Sequence, residues 1–483
     1  MKKFFLVKAL STYIRRLKVK VEILRLQTLM DQLIIIMKLM DIIIKKLKIC
    51  KEMTPVKKMW KYFSMLVALC LMLSCIGIAN AAETEPLKLT VWCWSPNDEL
   101  LETGAAMFQS AALGNVELET TVMALADVRT KIATITSSGD LTQLPDMILM
   151  QDSSIPMMVH AYGEAFLPLS DYGIDTSTLD HAKIAWDTFD NRLWGIPFDS
   201  SVGVVCYRTD YLAEAGYTID DMNDISWEEF RKIAGAVLEK TGHPLLSTSN
   251  DTTMLTMMLM SAGGSLFNAD GTPNLSQNEK LKAVIAEYQA LVESGTLKVV
   301  NNWDEYMSSI NSGSCGGTMN GMWIMNSCMQ APDQSGNWGV ANIPAVSGVE
   351  GASNYASSGG SSWMITANCK EPEKAVAFLM TLMGGELSDS FYASILTASN
   401  YISAYLPTAA NSSVYGVESE FFGGQKVYEV LGSYVEKMPV CNTSYVYDET
   451  QDALAVALSN ILGGANMQAE LDAAQSTVDF LMY

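Results

Sequence analysis

Histidine is scarce in this chain: His160, His181 and His243 are the three in 483 residues. None has a recognisable catalytic neighbourhood, and no cluster of His, Cys and carboxylate has the spacing of metal ligands. The sequence therefore predicts no catalytic residue, no metal and no cofactor. Cations are short as well, with 32 Lys plus Arg against 53 Asp plus Glu and a net charge of −21. So acidic a chain is a poor match for nucleic acid, whose phosphates need clustered cations, and for anionic lipid. Nine cysteines are present, but no CxxC pair marks a zinc or redox site. No uninterrupted apolar run is long enough to cross a bilayer, and neither an internal repeat nor a long disordered linker breaks the chain.

What the chain does contain is a secretory signal, displaced from its start. Lys57, Lys58 and Lys61 form a positive flank, the apolar run 65–78 is short, and Ala79-Asn80-Ala81 supplies a small-x-small cleavage pattern. Residues 53–81 thus read as a signal peptide that sends the protein out of the cytoplasm, to the periplasm or the outer face of the cell membrane. Residues 1–52 hold no glycine or proline, and the cluster 33–44 is broken by Lys38 and Asp41. They read as a non-native extension ahead of a start at Met53 or Met59, or else as a basic amphipathic segment. Met72-Leu73-Ser74-Cys75 approximates a lipoprotein processing site, so a lipid anchor at Cys75 is the one membrane attachment the sequence offers. Against it, Met72 stands where Leu is usual and the residues after Cys75 stay apolar. Cleavage after Ala81 leaves 402 residues with 16 Lys plus Arg against 49 Asp plus Glu, a net −33. That length suggests two or three domains, and Cys93, Cys206, Cys315, Cys328, Cys369 and Cys441 are expected mostly as buried thiols.

Residues 87–94 alternate in hydropathy and predict a strand, closed by Ser95-Pro96-Asn97-Asp98. A helix over 99–111, a strand over 116–122, a helix over 126–137 and a strand over 147–150 follow. This β-α-β-α-β order predicts an α/β fold with mainly parallel sheets covered by helices. Ser226-Trp227-Glu228-Glu229 and Ser276-Gln277-Asn278-Glu279 read as capping boxes, with Gly242 and Gly295 as helix stops. Further helices are predicted over 301–311, 371–383 and 451–483, and a strand within 313–323. The methionine run 254–260 reads as a buried helix face without a binding role. Two stretches, Trp194-Gly195-Ile196-Pro197-Phe198-Asp199-Ser200 and Ser357-Ser358-Gly359-Gly360-Ser361-Ser362, look like crossings between bodies, since each joins small or proline-fixed residues to a strand.

Taken in order, several phrases resemble the bacterial extracellular solute-binding proteins of family 1, the sugar-binding receptors of ABC importers. They are Val91-Trp92-Cys93-Trp94-Ser95-Pro96-Asn97, Leu144-Pro145-Asp146-Met147, the first crossing, Tyr207-Arg208-Thr209-Asp210-Tyr211-Leu212, Gly321-Met322-Trp323, the second crossing and Phe421-Phe422-Gly423-Gly424-Gln425. The resemblance implies a two-lobed periplasmic-binding-protein-like fold whose hinge-linked lobes close over a sugar. It implies residues 82–205 plus 359–405 for lobe 1, and 206–358 plus 406–483 for lobe 2. It also implies permease subunits as partners, and a monomer is expected.

A sugar pairs its hydroxyls with carboxylates and amides and lays its C–H face on an aromatic ring, so its pocket wants both at strand ends. Trp94 matches the family's pocket-facing tryptophan, while Trp92 reads more readily as core. Gln151 and Asp152 follow the strand 147–150, although Asp152 would serve equally as a helix cap. Asp199 in the first crossing is a cleft or turn residue, and Trp323 matches a second-lobe aromatic or fills a core. Gly359 and Gly360 would let backbone amides approach a hydroxyl, while Trp363, Tyr405 and Tyr445 complete the candidates. Binding of a peptide, polyamine or metal chelate is the alternative. A secreted hydrolase is a further one, because Gly313-Ser314-Cys315-Gly316-Gly317 fits a nucleophile turn in letters, though with a helix before it and a strand after it, the reverse of the required order.

Overall fold

The computed structural model describes residues 85–482. The leader, the extension 1–52 and Cys75 lie outside them. Leu87–Cys93 (β1), Val116–Val122 (β2) and Met147–Gln151 (β3) pair in parallel, with Val91 opposite both Thr120 and Met147. The apolar run of β3 follows from its position. Met147 and Leu149 enter one core cluster and Ile148 and Met150 another, and a strand covered on both faces cannot alternate.

After a small hairpin of Thr188–Phe189 (β4) and Arg192–Leu193 (β5), the chain passes through Ile196–Pro197 (β6) into Gly203–Arg208 (β7). Leu246–Ser249 (β8), Leu297–Val300 (β9), Gly317–Gly321 (β10) and Trp338–Ala341 (β11) follow, and Ser361–Ile365 (β12) returns. Two five-stranded sheets result, ordered β2-β1-β3-β12-β6 and β11-β7-β10-β8-β9. Three neighbouring strands in each run parallel, as β-α-β units require. Within these two sheets the antiparallel pairs involve β3, β6, β7, β10, β11 and β12, so the departures from parallel order gather on the strands leading out of the two crossings and their partners. The chain is thus a two-lobed α/β fold joined at its crossings.

One apolar cluster runs through both sheets: Leu149, Phe198 and Trp363 belong to it together with Val204, Cys206 and Trp338. The other face of the first sheet packs Trp92, Ile148 and Met364 under the helices Leu125–Ser138 and Ile155–Tyr162. The other face of the second sheet packs Val205, Tyr207 and Leu246 against Phe230, Tyr288 and Leu454. Five of the six described cysteines are buried and all six are free thiols.

Local signals were legible with two exceptions. Ser226 and Glu229 do form a capping box, and Gly242 ends that helix with φ 74°. Ser276 does not cap its helix; Asn278 does, accepting from the Leu281 amide at 3.0 Å, while the Ser276 hydroxyl donates to Asp472. The C-terminal stretch is two helices, Tyr447–Leu462 and Met467–Leu481, because Gly463-Gly464, with φ 95° at Gly464, interrupts the run. Among the described residues no helix is long and apolar enough to cross a membrane.

Candidate functional site

A cavity of about 650 Å³ opens where the strands of the two sheets end. Six of the ten residues nominated from sequence line it: Trp94 after β1, Gln151 closing β3, Asp199 in the first crossing, Trp323 after β10, and Gly359 and Gly360 in the second crossing. An idealised pleat would put Trp92 and Trp94 on one face, but the strand ends at Cys93: Trp92 is core, whereas Trp94, just past the strand, is half-buried and lines the cavity.

Asp199 is fixed by the returning strand. Its Oδ1 accepts from the Ser361 amide at 2.9 Å and the Ser361 hydroxyl at 2.7 Å. Its Oδ2 has no hydrogen-bond partner among the described residues and is not sealed off from the cavity. Gly359 and Gly360 sit at φ 83° and 95°, a region L side chains rarely adopt. At Gly360 a Cβ would also lie 2.8 Å from Lys183 Nζ, so glycine is needed there on both counts. Trp323 leans on the exposed Trp303, with ring centroids 5.7 Å apart.

Four nominated residues stand outside the lining. Asp152 is buried, in an ion pair with the fully buried Lys183, so its carboxylate is committed within the protein. Trp363 is fully enclosed in the shared core beside Phe198, because its position on β12 points into that cluster. Tyr405 bridges by backbone to Leu179 and begins the helix Leu406–Ala409. Tyr445 lies flat on His160, ring centroids 3.8 Å apart.

Lys183 organises the floor of the site. Its ammonium donates to Asp152 and to the Ser361 carbonyl at 3.0 Å. Burial alone would lower its pKa, but Asp152, Asp199 and Asp187 outweigh that and hold it protonated. Burial lifts Asp187 to about 6, offset in part by Lys183 and the Ser362 hydroxyl. Because the folded value of Asp187 lies above its ordinary 3.8, its contribution favours the fold below about pH 4 and is lost as pH rises through about 6. Asp187→Asn is expected to flatten that part of the stability profile, which urea midpoints at pH 4, 5, 6 and 7 would check; an unchanged slope would refute it.

Sequence reasoning missed several lining residues. Trp186 lies in the short helix His181–Asp187, whose length gives little periodicity to read. Met257 and Met260 come from the helix Thr253–Ser261, which is buried as expected but also presents these two side chains to the cavity. Tyr447, Asp448 and Gln451 come from the start of the helix Tyr447–Leu462. Gln451 is held by the Thr252 hydroxyl at 2.7 Å and itself donates to the Tyr447 hydroxyl at 2.6 Å.

The lining therefore combines tryptophan and tyrosine faces, amides, hydroxyls and two carboxylates, Asp199 and Asp448, without a lysine or arginine. Such a wall can bind a neutral polyhydroxylated solute through many hydrogen bonds and stacked contacts. Cys315 is elsewhere: it is fully buried, hydrogen-bonded to the Ser247 hydroxyl at 3.0 Å, and burial pushes its thiol up. A protonated, enclosed thiol is inert as a nucleophile. Among the described residues no group of His, Cys, Asp and Glu could hold a metal ion.

A family model described as bacterial extracellular solute-binding protein matches residues 104–415. A lactose-binding protein of Rhizobium radiobacter is 30% identical over 390 residues, 80% of this chain and 91% of that protein. Among solved structures, the sugar-binding protein MalE of Xanthomonas citri superposes with a TM-score of 0.66 at 17% identity, covering 81% of this chain and 96% of that one. The galacto-N-biose/lacto-N-biose I-binding protein of Bifidobacterium longum gives 0.63 at 20% identity, covering 83% and 98%.

Proposed function

Because the chain belongs to the bacterial extracellular solute-binding proteins, we propose that it captures a carbohydrate, an oligosaccharide, in the cavity between its lobes and delivers it outside the cytoplasm to the permease subunits of an ABC importer. The observation that carries this reading is the cavity itself. Its volume of about 650 Å³ and its mixture of aromatic faces, carboxylates and amides at strand ends suit a ligand rich in hydroxyls. The lactose-binding relative and the sugar-binding structural neighbours support the same class. In this reading residues 82–205 with 359–405 form one lobe, residues 206–358 with 406–483 the other, the protein acts as a monomer, and binding closes the lobes without bond chemistry.

A melting screen tests it. Sugar at about a hundred times its dissociation constant should stabilise the folded state by about 2.7 kcal/mol. A panel of neutral mono- and oligosaccharides in which none raises Tm, while a polyamine or peptide does, would replace the sugar reading with the other solute class. Since the lining carries two carboxylates and no cation, an oligosaccharide bearing a uronate is expected to bind far more weakly than its neutral counterpart. Equal affinity by calorimetry would count against that polarity argument.

A further inference from the structure

Three residues at one turn touch the opposite lobe. The helix Tyr447–Leu462 is rooted in the second sheet's core through Leu454, Ala457, Leu458 and Ile461. The partners of its first residues are rooted in the first lobe. Tyr445 stacks on His160 of the helix Ile155–Tyr162, with planes 11° apart, and meets the edge of Phe189 at 6.4 Å. Tyr447 meets Trp186 edge to face at 4.9 Å. Asp448 pairs with Arg129 of the helix Leu125–Ser138 at 2.9 Å, the two side chains being 39% and 33% exposed.

These contacts form two tiers. Trp186, Tyr447 and Asp448 line the cavity, whereas Arg129, His160 and Tyr445 do not. We propose that residues 445–448 are a clasp: Arg129 and Tyr445 act as positioning residues that never touch solute but hold Tyr447 and Asp448 against it by docking onto the other lobe. This rests on reading the cavity as the solute site. Each clasp contact spans both lobes, so separating the lobes breaks all of them and withdraws two wall residues together. The clasp therefore governs how long a bound solute is retained. Arg129 also pairs its charge with Asp448, which lets that carboxylate face the cavity.

Stopped-flow binding of the sugar identified in the melting screen tests the clasp. Arg129→Gln should raise koff roughly two- to fivefold, as expected for a partly exposed ion pair. Arg129→Gln with Tyr445→Ala should raise it roughly tenfold, while kon changes less than about twofold, the usual pattern when contacts form after encounter. Tyr445→Phe, which keeps the stacked ring, should restore the wild-type rate. Added salt should raise koff for the wild type and leave Arg129→Gln nearly unmoved, which a merely structural role would not produce. Folded variants with wild-type koff overturn the clasp. If the wild type binds no sugar, the proposed function fails instead, and the clasp is judged by ligand-free scattering: the double variant must be more extended than the wild type, and superimposable curves overturn it.

Discussion

Lys183→Met is expected to cost the fold about 3–5 kcal/mol, the range for removing one partner of a buried ion pair. Methionine nearly conserves the volume, so the loss is electrostatic. Lys183 is fully buried, and its ammonium joins three chain segments: the end of β3 through Asp152, its own helix His181–Asp187, and β12 through the Ser361 carbonyl. Without it the buried carboxyl groups of Asp152, Asp180, Asp187 and Asp199 lose their shared cation. Burial already raises the pKa of Asp180 and Asp187, and Lys183 lowers both; losing the cation raises them further. Raised carboxyl pKa values favour the fold below the ordinary carboxyl range and lose that contribution as pH climbs. The variant should therefore lie closer to the wild type at pH 5 than at pH 8 in urea denaturation. Adding Asp152→Asn should recover part of the loss, since a neutral amide needs no counter-charge. A wild-type midpoint at both pH values would show that Lys183 is not the charge centre of this floor.

The same cluster marks the limit of what sequence could show. The strand–helix alternation of residues 87–150 and the capping box at Ser226 are local patterns set by backbone geometry, and they are readable without knowing what packs where. Asp152 was visible as a polar residue after an apolar strand, but its partner lies 31 residues on, in a helix without a distinctive pattern. Whether a carboxylate at a strand end meets a solute or a buried lysine depends on that tertiary pairing alone. Trp363 shows the converse: a tryptophan beside a crossing is compatible with a cavity wall, and only the facing of β12 against Phe198 assigns it to the core. Asp448 and Gln451 could not be nominated because their role comes from a helix closing over residues far earlier in the chain, Arg129 for Asp448 and Thr252, 199 positions back, for Gln451. The glycine pair 359–360 was legible for a general reason, since positive φ and close approach select glycine wherever they occur.

Asp199→Asn is expected to weaken sugar binding about tenfold to a hundredfold, the loss of a hydrogen bond to a charged group in a desolvated site. The two carboxylate oxygens have separate duties. Oδ1 holds the Ser361 amide and hydroxyl and so ties the first crossing to the second. Oδ2 has no partner among the described residues and belongs to a residue lining the cavity, which leaves it to accept from solute hydroxyls. Asparagine can keep its oxygen towards Ser361, so the crossing stays tied, while its amide replaces an anionic acceptor with a donor. Tm without ligand should fall modestly, because Asp199 also helps hold the buried Lys183 ammonium charged, whereas calorimetry should show the affinity falling and the ligand-induced Tm shift shrinking with it. Asp199→Ala should lose both, because the Ser361 amide is left without its acceptor. If Asp199→Asn binds every tested solute as the wild type does, the carboxylate is a tie between crossings alone, and the polar contacts of the solute must be sought at Gln151, Gln451 and Asp448 instead.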